Sequence, residues 1–369
     1  MPAADSNIQV AEGAEIPKTA RAAVYSKIGE CKIDVVDQQV PTPGPNEVLV
    51  KLDYSGVCHS DLHLMLGEWP WWPMTDGQVG GHEGVGTILA AHSSVSDKML
   101  GQRVGIKWIA SACLSCAHCL SGRDAFCGGQ KASGCSGPMG CPGTFQEYVV
   151  TDARYCTPVM KDLDGSLAAP LLCAGVTVYK ALKILNLAHS SWVAIPGAGG
   201  GLGHLGIQYA HALGYRVIAI DAGSKRQLCE SLGAEAFIDF AEAGDELPKR
   251  VQDLTDGEGA HAVVVVNASP KSYASAPDLL RIGGQLVCVG IPGGPAPITL
   301  DARNIILKDL NVKGSAVGTR QDAIEALEIA GRGLVKTRVE SVGLDGVQGV
   351  FEKMRKGEIE GRMVVDFSK

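Results

Sequence analysis

Four cysteines of this chain, Cys113, Cys116, Cys119 and Cys127, stand in the spacing C-x2-C-x2-C-x7-C within a Gly- and Ser-containing stretch. Four thiolates on one short lobe can close a tetrahedron around a zinc ion and leave no open position, which is the chemistry of a structural site. The same tight spacing suits an iron–sulfur centre in principle. A second set is dispersed: Cys58 in Gly56-Val-Cys-His-Ser-Asp-Leu-His63, His82 and Glu83 in Gly80-Gly-His-Glu-Gly-Val-Gly86, and Cys173 in Leu171-Leu-Cys-Ala-Gly-Val-Thr177. Two Cys and one His make a three-ligand zinc site whose fourth position is free for water or substrate, as catalysis requires. Spacing alone carries this assignment weakly, because a buried Cys is ordinarily a small apolar residue.

A third element is rich in glycine. The run Val193-Ala-Ile-Pro-Gly-Ala-Gly-Gly-Gly-Leu-Gly203 ends an apolar strand and opens a helical stretch through Leu205, Ile207, Tyr209 and Leu213. Glycines there let backbone N–H groups approach a pyrophosphate, and the helix N-terminus adds positive partial charge. Gly197, Gly199, Gly200, Gly201, Leu202 and Gly203 form the candidate cradle. Ala198 stands where strict G-x-G-x-x-G spacing, counted back from Gly203, wants glycine, which an inserted residue at the turn explains. A glycine-rich surface loop is the plain alternative. Against it stands the context of a strand before, a helix after and Asp221 closing the next strand. Asp221 is placed to accept hydrogen bonds from ribose hydroxyls and to repel a 2′-phosphate, which favours NAD over NADP. Lys225 and Arg226, just beyond it, suit either steadying the ribose or meeting a phosphate.

Holding these groups takes two kinds of architecture. The first third carries short extended signals, such as the alternation of Val48, Val50, Leu52 and Tyr54, punctuated by Pro41, Pro43, Gly44 and Pro45. From about residue 175, apolar strand candidates (Trp192–Ile195, Arg216–Ile220, Ala262–Val266, Gln285–Gly290) alternate with helical stretches, which implies parallel βαβ units. A helix candidate near Asp322–Gly331 and a last strand near Met363–Phe367 return to mixed character. The expected division is 1–174 for a zinc-binding catalytic domain, 175–317 for the dinucleotide-binding domain and 318–369 for a return to the first. A chain of 369 residues, 46% of them hydrophobic, can fill two cores.

Composition narrows the partners. A formal net charge of −7 gives no electrostatic reason to bind nucleic acid or an anionic membrane. Residues 1–20, with acidic Asp5, Glu12 and Glu15, match neither a secretory signal nor an Arg-rich transit peptide and read as a loose extension. Twelve cysteines without an export signal point to metal ligation in a reducing, cytoplasmic setting.

Taken together, the chain resembles the zinc-containing medium-chain alcohol dehydrogenases, most nearly the yeast and fungal ethanol dehydrogenases. The Gly-His-Glu-Gly-x-Gly run, the four-cysteine lobe, the glycine turn with its extra residue and the ending Gly361-Arg-Met-Val-Val-Asp366 follow that family's order across nearly the whole chain. The resemblance implies an α/β fold: a Rossmann doubly wound parallel sheet domain plus a mostly-β, GroES-like catalytic domain carrying the zinc lobe. It implies NAD, two zinc ions per chain, a small alcohol or aldehyde substrate and a cytoplasmic homotetramer. Cys58, His82 and Cys173 match the catalytic zinc ligands, and Glu83 the acid that approaches the metal during ligand exchange. Ser60 and His63 match a proton relay running through the cofactor ribose. His59 matches a pyrophosphate contact, Arg362 a cofactor-phosphate contact, and Asp61 a carboxylate that orients the zinc-bound histidine. Trp69 and Trp108 match tryptophans that narrow the alcohol pocket.

Each of these residues also has a plainer reading. Ser60 reads as a helix cap, His63 as a surface histidine, Asp61 as an N-terminal helix acid, Glu83 as structural and Arg362 as half of a surface ion pair. The tryptophans read as loop or interface packing. For the whole chain the alternatives are a related dehydrogenase or reductase for larger or aromatic alcohols and aldehydes, and a zinc- and nucleotide-binding relative without activity.

Overall fold

The computed structural model describes residues 7–369, in two compact units. The first comprises residues up to Cys173, Thr319–Glu328 and Arg338–Lys369, and the second Ala174–Gly318 and Ile329–Thr337.

An eight-stranded sheet organises the first unit, with Glu47–Val57 at its centre. That strand pairs antiparallel with Gly84–His92, Tyr148–Asp152 and Arg362–Asp366. Alternation decides its faces. Val48, Val50 and Leu52 bury into a cluster with Ile88, Val104 and Ile106, whereas Leu49 turns to the opposite side with Ala90 and Tyr148. Two register shifts against Gly84–His92, at Leu49/Val50 and Leu52/Tyr54, bend the strand before it delivers Val57 to the next helix, His59–Met65. The four-cysteine lobe holds only a short helix, Ala117–Leu120, and a 3-10 turn, Asp124–Phe126.

The second unit carries six parallel strands. In spatial order these are Ala236–Asp239, Arg216–Asp221, Trp192–Pro196, Ala260–Val265, Leu280–Cys288 and Asn311–Gly314. This is the doubly wound order 3-2-1-4-5-6, whose ligand crevice opens at the carboxyl ends of the first and fourth strands. Residues 262–265 are buried on both faces, as a parallel strand between helical layers must be. No single helix among the described residues is long and apolar enough to cross a membrane.

Two sequence expectations need correction. The extension is not loose throughout: Ile8–Val10 pairs antiparallel with Ala90–His92, and Ile8 packs against the cluster of Leu49, Ala90 and Tyr148. A three-residue strand is too short to leave a periodic signal, and Asp5 lies outside the described residues. The stretch Ile329–Thr337 groups with the second unit, not with the terminal return. Its anchor is Gln208, whose side-chain amide donates to the Lys336 carbonyl at 3.0 Å and accepts the Lys336 N–H at 2.8 Å.

Candidate active site and metal centres

Cys58 stands at the junction between the central strand and helix His59–Met65, where its extended backbone makes it the helix N-cap. Its N–H donates to Asp61 Oδ2 at 2.9 Å, so Asp61, not Ser60, closes the first turn. The other oxygen, Asp61 Oδ1, accepts from His82 Nδ1 at 2.9 Å and from the Gly81 N–H at 3.2 Å. Asp61 is thus both a helix acid and the orienter of His82. With Nδ1–H committed to a carboxylate, His82 Nε2 is left as the lone-pair nitrogen, 3.3 Å from Cys173 Sγ.

The donor atoms of Cys58, His82, Glu83 and Cys173 all lie within 4.8 Å of one another, and all four residues are buried. A tetrahedral zinc with N and S ligands sets those atoms about 3.6 Å apart, so the donor set suits one ion. The Cys58 thiol is held well below its ordinary value, first because the Cys173 thiol hydrogen-bonds to it, with His82 and the Arg362 charge adding to the effect. It is thereby predisposed to the thiolate that a metal needs. The hydrogen bond with Cys58 pushes the Cys173 thiol the other way, and burial adds to it.

Glu83 follows His82 just before strand Gly84–His92 and is fully buried. Its Oε1 pairs with Arg362 Nη2, while Oε2 has no hydrogen-bond partner among the described residues. Burial raises the Glu83 carboxyl to about 7 against the pull of Arg362. A buried oxygen without a partner is the vacancy that approach to a metal would fill. Room for it depends on Gly56, where a Cβ would come within 1.9 Å of Oε2. Arg362 is therefore no surface pair, since it is 4% exposed. Its Nε also lacks a partner among the described residues, leaving a donor for an anionic group.

The remaining expected residues of this unit gather nearby. Ser60 Oγ lies 3.7 Å from Cys58 Sγ. The His63 and His59 ring centroids are 4.9 Å apart, and burial together with the His63 charge lowers the His59 imidazole. His63 Nδ1 pairs with Glu68 and its ring stacks on Trp69 at 5.0 Å. Trp108 sets an edge against the His82 ring at 5.0 Å, and Trp69 and Trp108 share an apolar cluster with Leu64, Ala132 and Cys135. Glu68 went unnoticed in the sequence, because a lone acid five residues after His63 forms no motif.

In the lobe, Cys113, Cys116, Cys119 and Cys127 again place all four sulfurs within 4.8 Å. Separations of 3.9 Å for Cys113–Cys119 and 3.6 Å for Cys116–Cys119 bracket the edge of about 3.8 Å that a Zn–S4 tetrahedron requires. They are far too long for a disulfide, about 2.0 Å. The Cys116 N–H donates to Cys113 Sγ at 3.3 Å and the Gly129 N–H to Cys127 Sγ at 3.3 Å. Backbone N–H groups at Ser115 and Cys116 bring the Cys113 thiol down to about 6, which favours thiolate.

In the second unit, the glycine turn follows strand Trp192–Pro196 and leads into helix Gly203–Ala212. Gly197 takes φ +83, and a Cβ on Gly203 would come within 2.1 Å of the Gly197 carbonyl, so the turn admits glycine alone at both. Asp221 Oδ2 accepts from the Gly199 N–H at 2.8 Å, and Oδ1 from the Ala222 N–H at 2.7 Å. Lys225 lies over Gly199, where an added Cβ would stand 2.7 Å from its own Cβ. Arg226 is committed elsewhere: it reaches Glu230 at 3.6 Å and covers the Phe237 ring at 4.6 Å. A helix (i, i+4) pair hides this choice from motif reading.

Comparison with known proteins adds the family. Residues 44–161 match the alcohol dehydrogenase GroES-like domain and residues 201–332 the zinc-binding dehydrogenase domain. Alcohol dehydrogenase 2 of Emericella nidulans is 45% identical over 367 residues, covering 96% of this chain and 99% of that one. Alcohol dehydrogenase 1 of Neurospora crassa is 41% identical over 361 residues, with the same coverage of 96% and 99%. Among solved structures, the acetophenone reductase of Geotrichum candidum in complex with NAD superposes with a TM-score of 0.81 at 28% identity, covering 96% of this chain and 98% of that one. Full-length relatives at this identity, and family domains matched in both units, leave one conclusion: the chain belongs to the zinc-binding medium-chain alcohol dehydrogenases and is a zinc-dependent, dinucleotide-using member of that family.

Proposed function

We propose that this enzyme oxidises small primary alcohols, ethanol-like in size, to aldehydes with NAD, reversibly, and that it works as a cytoplasmic homotetramer. The observation that carries the proposal is the convergence of Cys58, His82 and Cys173 within 4.8 Å, beside a Glu83 that Arg362 holds. Bound there, zinc supplies a Lewis acid that makes an alcohol hydroxyl more acidic, and the dinucleotide supplies a hydride acceptor.

The chain's own residues do the rest. Asp61 fixes the His82 tautomer and ring plane. Ser60 Oγ would accept the alcohol's proton while passing on its own, and His63, whose side chain is 15% exposed, would release a proton toward solvent. Glu68 keeps the His63 ring oriented through Nδ1. Trp108, edge-on to His82, limits the length of alcohol that fits, with Trp69 beside it. Asp221 receives the adenosine ribose in place of its present backbone donors and disfavours a 2′-phosphate.

Support for self-association comes from the second unit, where edge strand Asn311–Gly314 is exposed throughout and Ile306 and Leu307 are 77% and 76% exposed. An open strand edge beside apolar side chains is a surface that pairing of two copies would cover. Twelve cysteines, none of them paired in a disulfide and six of them placed as zinc ligands, support a reducing compartment.

The test is a screen of the zinc-replete enzyme with ethanol through hexanol and benzyl alcohol, each with NAD and with NADP. The proposal expects the highest kcat/KM for ethanol-sized alcohols with NAD. Preference for benzyl alcohol or for NADP, or no reduced cofactor with any alcohol, would overturn it.

A further inference from the structure

The parallel strands Arg216–Asp221 and Ala236–Asp239 run in register to their carboxyl ends, so that their last residues, Asp221 and Asp239, are direct neighbours across the pair. Carboxyl ends of such strands are where a Rossmann sheet receives its ligand. Asp239 Oδ1 accepts from the Ala241 N–H at 2.8 Å, and Asp239 is the N-cap of helix Phe240–Ala243. Its second oxygen has a different neighbour. Oδ2 lies against Gly223, where an added Cβ would come within 2.4 Å of it. Asp221 meanwhile holds the Ala222 N–H at 2.7 Å. Two carboxylates thus flank the backbone of Ala222 and Gly223, one from each strand.

We propose that Asp239 is a second determinant of cofactor choice, whose carboxylate faces the Ala222–Gly223 backbone and disfavours a 2′-phosphate there independently of Asp221. The proposal rests on the ribose role given to Asp221 above. A dinucleotide whose ribose meets Asp221 directs its 2′ position toward the loop after that strand. Of the cations near this loop, Arg226 is engaged by Glu230 and Phe237, and Lys225 lies over Gly199. Removal of Asp221 alone therefore leaves a negative charge beside the phosphate. A single charge at the mouth of a partly solvated site is worth about three- to thirtyfold in affinity for an anion.

Helix capping is the competing account of Asp239, and the substitutions separate the two. Asn and Ser both keep an N-cap acceptor while removing the charge. The zinc-loaded parent, Asp221→Ser, Asp239→Asn, Asp239→Ser and the double variant Asp221→Ser/Asp239→Asn are titrated calorimetrically with ADP-ribose and with 2′-phospho-ADP-ribose. Neither probe requires turnover. Asp239→Asn is expected to raise the affinity ratio, phosphorylated over unphosphorylated, by about three- to thirtyfold in both backgrounds. The gain over the matching background should shrink between about 0.02 and 0.5 M salt, as charge repulsion must and capping would not. An unmoved ratio in both Asp239 variants, with Asp221→Ser moving it, overturns this proposal alone. A salt-independent gain also overturns it, as packing rather than charge. If Asp221→Ser leaves the ratio unmoved as well, the ribose reading fails and takes this one with it.

Discussion

Asp61 and His82 are joined by a hydrogen bond of 2.9 Å between Oδ1 and Nδ1, with both side chains fully shielded from solvent. A carboxylate at that position accepts only, so the imidazole must present a hydrogen at Nδ1, and the neutral ring then carries its lone pair at Nε2. The same carboxylate ties down the Cys58 N–H and the Gly81 N–H. One buried acid thereby sets the angle between the segments that carry two of the three proposed zinc ligands.

Asp61→Asn keeps the volume but offers His82 either an amide oxygen or an amide N–H, and the second would invert the tautomer. Loss of such an outer partner costs about 10- to 100-fold in metal affinity or activity. The variant should therefore lose about one zinc equivalent under mild chelation, and kcat/KM should fall in that range while the lobe keeps its metal. Parental zinc content and activity would show that Asp61 serves only the helix turn.

Cys113→Ser attacks the other centre. Removing one thiolate from a closed four-sulfur set leaves the ion under-coordinated, and metal binding there is folding energy. The expected outcome is about one zinc equivalent fewer and a lower Tm, with the spectrum of a cobalt-substituted catalytic site unchanged. A variant that keeps the parental metal count and Tm would refute a structural role for the lobe.

How much was legible beforehand differed by element. Continuous apolar runs such as 262–265, and the strand-turn-helix at Gly197–Gly203, announce themselves because pattern and backbone demand coincide locally. Ligand types at the four-cysteine lobe were equally plain, since the donors are near in sequence. Partners brought together by tertiary pairing were not. Arg362 meets Glu83 only because the last strand lies beside Glu47–Val57, whose Gly56 adjoins Glu83. Asp239 at Gly223 and Ile8 on the sheet likewise depend on where the chain returns. No spacing rule encodes such meetings.

Lys107 provides a pH test away from the metals. It is buried, donates to the Tyr155 carbonyl at 2.7 Å and to Thr157 Oγ1 at 2.9 Å, and burial lowers its ammonium to about 8. In the unfolded chain a lysine titrates near about 10.4. Between these values the unfolded chain binds more proton than the folded one, so stability contributed at this site rises with pH from about 8 to 10.4 and is flat below. Lys107→Met removes that slope. The Tm of the parent should therefore improve relative to Lys107→Met as pH increases from 7.5 to 9.5, by about 1–2 °C or more for a chain this size. A difference that does not change across that range would mean that Lys107 does not titrate there.

The final prediction concerns alcohol length. Trp108 meets the His82 ring edge-on at 5.0 Å and also contacts Trp72 at 5.7 Å, so its indole is fixed by packing next to a proposed zinc ligand. Trp69 is 4% exposed in the same cluster but stacks on His63, so it touches the proposed proton path as well as the space around it. The two tryptophans should therefore respond differently to truncation. Trp108→Ala is expected to raise kcat/KM for hexanol relative to ethanol by about tenfold or more, because a few added methylenes in a pocket are worth about 1–3 kcal/mol each where space permits. Trp69→Ala should also widen the range, but with a lower kcat for every alcohol, since His63 loses the ring that steadies it. Trp71, 58% exposed, is the control whose loss should leave the length series unchanged. Assays on ethanol through hexanol and on benzyl alcohol decide the matter. If neither Trp108→Ala nor Trp69→Ala changes the relative kcat/KM for longer alcohols, these indoles pack the protein without shaping its substrate range, and the preference for small alcohols needs another cause.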